Sequence, residues 1–169
     1  RKLLSDMKKT VKKIVDIIES MKSLVRNTSR ESAQNVNVAD IIHIAAKLCI
    51  MKFRNNNIAL ITPQSNESIC LNCRPGQIGQ ILVNLINNAY DAVMSSRGPS
   101  MAQKDSWVQV SVSQEGGRLK ISVTDSGHGV PVEIRPRLFE PFLTTKAVGR
   151  GTGLGLCISK SIAKRNGGD

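Results

Sequence analysis

The chain has 169 residues, enough for one domain with a helix or two to spare. Hydrophobic residues make up 40% of it, which excludes collagen-like and wholly disordered chains, and no apolar run is long enough to cross a bilayer. Lysine and arginine outnumber aspartate and glutamate by 24 to 13, a net charge of +11 that favours phosphorylated ligands, nucleic acid or anionic lipid.

The first thirty residues carry much of that charge: nine basic residues against three acidic ones. Leu4, Met7, Val11, Ile14, Ile18, Met21 and Val25 alternate spacings of three and four, a heptad seam. Leu3, Ile17 and Leu24 widen the seam beyond a two-stranded coil, so residues 3–26 read as a helix of a bundle. Such a helix needs partner helices from other chain or a second copy; the plainer alternative is a helix lying on the following domain. Residues 27–35 read as a polar linker and 36–38 as a short strand. Asp40 opens a helix to about Phe53. Strands follow at 58–62 and 68–72, broken by Pro63 and Asn66, and Pro75 opens a strong helix to about Ser95. After a loop at 97–105, strands at 108–113 and 119–124 form a hairpin around Glu115-Gly116-Gly117. A helix at 152–165 ends the chain. This order predicts an α+β fold, a two-layer sandwich with a sheet on one side and helices on the other.

The four cysteines suggest neither a disulfide framework nor a zinc site. Cys70 and Cys73 form a lone CxxC at a strand end, where their side chains point to opposite faces, and Cys49 and Cys157 read as buried apolar residues in helices. With no secretory signal pattern at the start, a reducing cytoplasmic compartment is expected, any membrane attachment coming from segments outside this chain. One Trp, one Tyr and three Phe leave little for base stacking, and no nucleic-acid partner is expected.

Three features carry chemistry. At 100° per residue, Gln80, Asn84, Asn87, Asn88 and Asp91 fall within an arc of about 100° on the helix from Pro75. A solvent face would use lysine, glutamate and glutamine; asparagine costs a helix about 0.5 kcal/mol against alanine, so three of them imply coordination or hydrogen bonding. An asparagine carbonyl is a neutral hard ligand suited to Mg²⁺ beside phosphate oxygens. Next, Asp125-Ser126-Gly127-His128-Gly129 follows a strand: a carboxylate able to accept from a base amine, then glycines that let backbone approach a ligand. Finally, Gly149-Arg150-Gly151-Thr152-Gly153-Leu154-Gly155-Leu156 leads into a helix, where exposed N–H groups and the helix dipole suit phosphate. No GxxxxGK[ST] loop is present, and no strand precedes these glycines as a dinucleotide fingerprint requires.

In this order the features resemble the ATP-binding domain of sensor histidine kinases, whose Bergerat-type fold is shared with type II topoisomerase, mismatch-repair and chaperone ATPases. The segment from Gln80 to Ala89 resembles the asparagine box, Asp125-x-Gly127-x-Gly129 the first glycine box, Leu138-Phe139-Glu140-Pro141-Phe142 with Thr144-Thr145-Lys146 the phenylalanine box, and Gly151 to Leu156 the second glycine box. The resemblance covers residues 36–169 as the catalytic domain. It makes residues 1–30 similar to the second helix of a dimerisation hairpin, so a homodimer is implied.

The resemblance implies that the cofactors are ATP and Mg²⁺. Asn88 would ligate the metal and Asn84 would support the phosphates or metal shell. Asp125 would accept the adenine amino group, with Gly127 and Gly129 allowing close approach. Residues 130–150 would form a lid anchored by the packing of Phe139 and Phe142. Lys146 would meet the γ-phosphate, and Gly151, Thr152, Gly153, Leu154 and Gly155 would bind at the phosphates. The ATPase relatives place a water-activating glutamate where this chain has Asn84, which takes no proton at neutral pH. That favours transfer to a histidine, with a response-regulator receiver domain as next acceptor, over hydrolysis. A non-catalytic or anti-sigma-type nucleotide-binding module of the same fold is the alternative. His43 reads as structural and His128 as packing or solvent-facing, so the acceptor helix is expected before Arg1, and a closing strand beyond Asp169. Asp91 stands where many relatives carry a basic residue; its charge would repel ATP unless magnesium or a lysine screens it.

Overall fold

The computed structural model describes residues 31–63, 69–97, 106–146 and 151–169, together with Met7 and Val11. Those two seam positions are exposed; the rest of the heptad pattern lies outside the described residues. Ser32–Pro131 forms one compact unit, and the described residues from Val132 onward belong to a second.

The first unit opens with β1 (Gln34–Asn37), which pairs antiparallel with β3 (Cys70–Cys73). Between them lie α1 (Val38–Arg54) and β2 (Ala59–Ile61). The strand starts and ends before its expected span because Asn37 is the helix cap: its Oδ1 accepts from Ala39 N at 2.9 Å. Val38 thereby joins the helix and is buried, and Asp40 falls in the first turn rather than opening it. Val38 N donates to Ile69 O at 2.9 Å, tying the helix start to the residue before β3.

After β3 comes α2 (Pro75–Ser96), with Pro at its first position as expected. Strands β4 (Trp107–Glu115) and β5 (Arg118–Asp125) then form the hairpin. Its two turn residues, Gly116 and Gly117, have φ of 57° and 76°, the left-handed pair that a tight hairpin needs. Strand β4 is central: β5 pairs with it antiparallel and β2 pairs with it parallel. The parallel pairing was not apparent from sequence; it needs the long crossover through β3 and α2.

Helices α1 and α2 pack on each other and onto one face of this sheet, a two-layer α/β sandwich. Val108 and Val110 of β4 turn inward while Gln109 and Ser111 turn out. The core joins them to Ile42, Ala45, Cys49 and Phe53 of α1 and to Leu82, Ile86, Tyr90 and Val93 of α2. Of the CxxC pair, Cys73 is buried and Cys70 exposed, as the strand alternation requires. Cys49 is buried as expected, and burial raises its thiol pKa; Cys157 is only half-buried, its Sγ 3.2 Å from Leu154 O. His43 is not packed into structure but lies exposed on the outer side of α1.

In the second unit a 3-10 helix, Val132–Arg137, precedes α3 (Gly155–Arg165). The last helix begins three residues later than expected: Gly153 has φ of 68°, and Thr152 Oγ1 accepts from Leu154 N at 3.3 Å, a local turn that competes with a helical one. Among the described residues no helix is long and apolar enough to cross a membrane.

The end of α2 is held by Arg97. Its guanidinium donates to Asn56 O and, at 2.9 Å, to Asn57 O in the turn after α1, and to Ser106 Oγ at 3.1 Å just before β4. Asn57 is left-handed, with φ of 49°, so the clamp stabilises a turn that costs energy to form. Arg97→Ala is expected to destabilise the chain by about 1–2 kcal/mol, lowering its melting temperature by several degrees. Scanning calorimetry of both proteins checks this, and an unchanged midpoint would remove the clamp from the account.

Candidate nucleotide site

The polar arc of α2 exists as expected. Gln80, Asn84, Asn87, Asn88 and Asp91 are all half-buried, while Leu82, Ile86, Ala89, Tyr90 and Val93 occupy the core side. Strand β5 delivers Asp125 at its last residue, and the chain then turns against the same helix. Asp125 Oδ1 accepts from Gly127 N at 2.8 Å. A Cβ on Gly127 would stand 3.0 Å from the Ala92 carbonyl carbon and 3.1 Å from its Cβ. It would also stand 2.7 Å from Asp125 Oδ1, so a side chain there displaces that carboxylate and presses on the helix by a few tenths of an ångström. The contact falls four residues after Asn88, so the turn lies against the part of α2 just beyond the asparagines.

The following residues extend this seating. His128 N donates to Ser96 Oγ at 2.8 Å, and His128 Nε2 lies 3.3 Å from Ser95 Oγ. His128 is exposed and bound to the end of α2. Ser126 N donates to Trp107 O, and Ser126 Oγ accepts from Trp107 N, both at 3.0 Å, closing the turn onto the start of β4.

One residue missed by the sequence reading belongs to this site. Lys52, in the last turn of α1, reaches α2: Nζ donates to Asn87 Oδ1 at 3.0 Å and lies 3.6 Å from Asp91 Oδ1. It also sits 3.8 Å from the Tyr90 ring centroid, a cation–π distance, and Tyr90 meets Phe53 edge-on at 5.3 Å. Burial, then the Asp91 charge, raises the Tyr90 phenol pKa. Of the two expected screens for Asp91, magnesium or a lysine, Lys52 is placed to be the lysine. The available signal was its register: it flanks Cys49 and Phe53 on the side of α1 that faces the core.

The second unit holds Lys146 and Gly151 to Gly155. Phe142 N donates to Gly153 O at 3.0 Å, and a Cβ on Gly153 would overlap the Phe142 backbone. The phenylalanine and second glycine boxes are therefore clasped through main chain. Phe142 itself is left-handed, with φ of 66°. This corrects the expectation that Phe139 and Phe142 anchor by packing: their side chains are 46% and 67% exposed. Phe139 instead lies beneath Lys160, whose Nζ is 4.6 Å from the ring centroid. Lys146 packs beside Gly151, where a Cβ would stand 3.1 Å from Lys146 Cδ, and its N–H donates to Thr144 Oγ1 at 3.2 Å. Leu154 is 2% exposed and its N–H donates to Thr152 Oγ1, so it shapes the turn from within. Arg137 Nη2 and Glu140 Oε2 pair at 2.8 Å, which raises the arginine pKa and lowers that of the carboxyl.

The profile of the family described as histidine kinase-, DNA gyrase B-, and HSP90-like ATPase matches residues 73–169. The chain belongs to that family. Two curated members are similar along much of it. The two-component sensor PprA of Pseudomonas aeruginosa is 33% identical over 115 residues, 68% of this chain and 12% of PprA. The sensor histidine kinase ZraS of Escherichia coli K12 is 28% identical over 162 residues, 96% of this chain and 32% of ZraS. The chain thus spans about a third or less of the length of these relatives. Among solved structures, the catalytic domain of histidine kinase ThkA superposes with a TM-score of 0.66 at 27% identity, covering 80% of this chain and 82% of ThkA's. This agrees with the two-layer architecture. ThkA has also been solved in complex with response regulator protein TrrA; that structure matches with a TM-score of 0.65 at 23% identity, over 96% of this chain and 45% of that one.

The clasp gives a direct prediction for this family member. Gly153→Ala forces a Cβ into the Phe142 backbone at a positive φ, at a cost of about 1–3 kcal/mol. Amide hydrogen exchange at Phe142 should speed up by about tenfold or more. Unchanged exchange would mean the clasp contributes nothing to holding the segment.

Proposed function

We propose that this chain is the ATP-binding catalytic core of a two-component sensor histidine kinase. It moves the γ-phosphoryl group of ATP to a histidine on another segment of the parent protein, for relay to a response-regulator receiver domain. The observation that carries this reading is the seating of Gly127 on Ala92, which brings the Asp125 turn against the helix bearing Asn84 and Asn88. Family membership and the similarity to sensor kinases support it.

The donor set suits Mg²⁺: Asn88 carries a neutral amide oxygen on a half-buried arc. When bound, Mg²⁺ neutralises charge on the phosphates. Asn84, one turn earlier, orients the phosphates through its carboxamide. Asp125 Oδ1 is engaged by Gly127 N, and its second oxygen accepts the adenine amino group. Lys146 contributes positive charge to the γ-phosphate, and the N–H groups at Gly151, Thr152, Gly153 and Gly155 add hydrogen bonds, while the Leu154 N–H serves the turn at Thr152 Oγ1. A neutral imidazole nitrogen attacks phosphorus as the bond to the ADP oxygen breaks, so no general base is needed at Asn84. The parent acts as a homodimer through a bundle containing residues 1–30, with this part in the cytoplasm.

Calorimetry with Mg-ATP tests the binding step. Asn88→Ala should weaken affinity by about ten- to hundredfold and abolish its dependence on Mg²⁺. Labelled ATP mixed with this chain and its own parent's upstream hairpin should leave acid-labile label on histidine, with background phosphate release. Mg-ATP binding that ignores the Asn88 substitution, or steady hydrolysis without transfer, would contradict the proposal.

A further inference from the structure

Asp91 is the unexpected group at the proposed site. It lies one turn beyond Asn88 and seven residues beyond Asn84, within the same polar arc of α2. Residues three apart on a helix stand about 5–6 Å apart at Cβ, so a carboxylate at 91 is a near neighbour of anything Asn88 coordinates. A triphosphate brought there meets an anion of its own sign. At such distances the repulsion is large enough to affect binding, even in a well-hydrated site.

Lys52 is placed to answer it. Its ammonium lies 3.6 Å from Asp91 Oδ1, donates to Asn87 Oδ1 at 3.0 Å and rests 3.8 Å from the Tyr90 ring centroid. These three contacts fix one flexible lysine against successive groups of α2, and all belong to the unit Ser32–Pro131. Phe53, the next residue of α1, is fully buried against Tyr90, so the backbone carrying Lys52 is held by the core. The contact to Asn87 ties that asparagine to α1. Its carboxamide oxygen is engaged by Lys52, on the α1 side of the arc.

We infer that Lys52 is a positioning residue for the nucleotide: it cancels the charge of Asp91 beside the Mg²⁺–phosphate region, so that the asparagine arc accepts a polyanion despite the carboxylate. This rests on the nucleotide reading above and deepens it. Lys52 does so from α1, outside the four boxes. Asp91 in turn holds Lys52 away from a direct phosphate contact, so removing the two groups singly has opposite effects.

The test is a double-mutant cycle read by calorimetry with Mg-ATP on the whole chain, each variant also melted without nucleotide. Lys52→Met is expected to weaken affinity by about three- to tenfold at low salt, and Asp91→Asn to tighten it by a similar factor. The double variant K52M/D91N should return to within about twofold of wild type, and Lys52→Arg should stay near wild type. The differences should shrink as salt rises, because the effect is a charge effect. A merely structural lysine gives a different pattern: K52M and K52M/D91N equally weak, with a lowered melting point. That pattern, or weaker binding in Asp91→Asn, overturns the inference while leaving the nucleotide site intact. A wild-type chain that takes up no Mg-ATP overturns the inference together with the reading it rests on.

Discussion

The close approach of Gly127 to the backbone of Ala92 is the constraint on which the arrangement of the first unit depends. It determines where the end of β5 meets α2, and hence which face of α2 the Asp125 turn can serve. A side chain at 127 would crowd the Asp125 carboxylate and press on the Ala92 backbone, disturbing the fit of turn to helix. The hydrogen bonds of His128 and Ser126 close the same junction from either side, to the end of α2 and the start of β4. The core packing of α1 and α2 on the sheet supplies the rigid support, and the glycine supplies the fit.

The electrostatics follow from that placement. A strongly basic chain does not by itself hold a polyanion at one spot; local groups decide. Within the arc, neutral carboxamides provide donors and acceptors without adding charge, and the one carboxylate is paired with a lysine from the neighbouring helix. The pair is half-exposed and adds little to stability. Its value lies in setting the local field where the ligand's charge falls, which is a functional rather than a folding role.

Much of this was legible in the sequence because it is written in short-range patterns. Pro75, the period of the apolar residues and the Gly116-Gly117 turn specify α2 and the hairpin within a few residues of their ends. The asparagine arc follows from helical geometry alone. What was hidden depends on contacts across the fold. Asn37 caps α1 although Asp40 looks equally suited, because the pairing of β1 with β3 ends the strand at Asn37. Lys52 reads as an ordinary surface lysine until α1 and α2 are packed together. The phenylalanine box looked like a packing motif from its ring residues, whereas its hold on the second glycine box is made by main chain, which residue type does not reveal.

The most direct test of the site is a nuclear magnetic resonance titration of the labelled chain with Mg-ATP, following side-chain carboxamide and backbone amide signals. The account predicts that the side-chain signals of Asn84 and Asn88 and the backbone signals of Gly127 and Gly129 move together and saturate. Saturable shifts that bypass Asn84, Asn88 and the Asp125 turn, or no shifts at all, would contradict it.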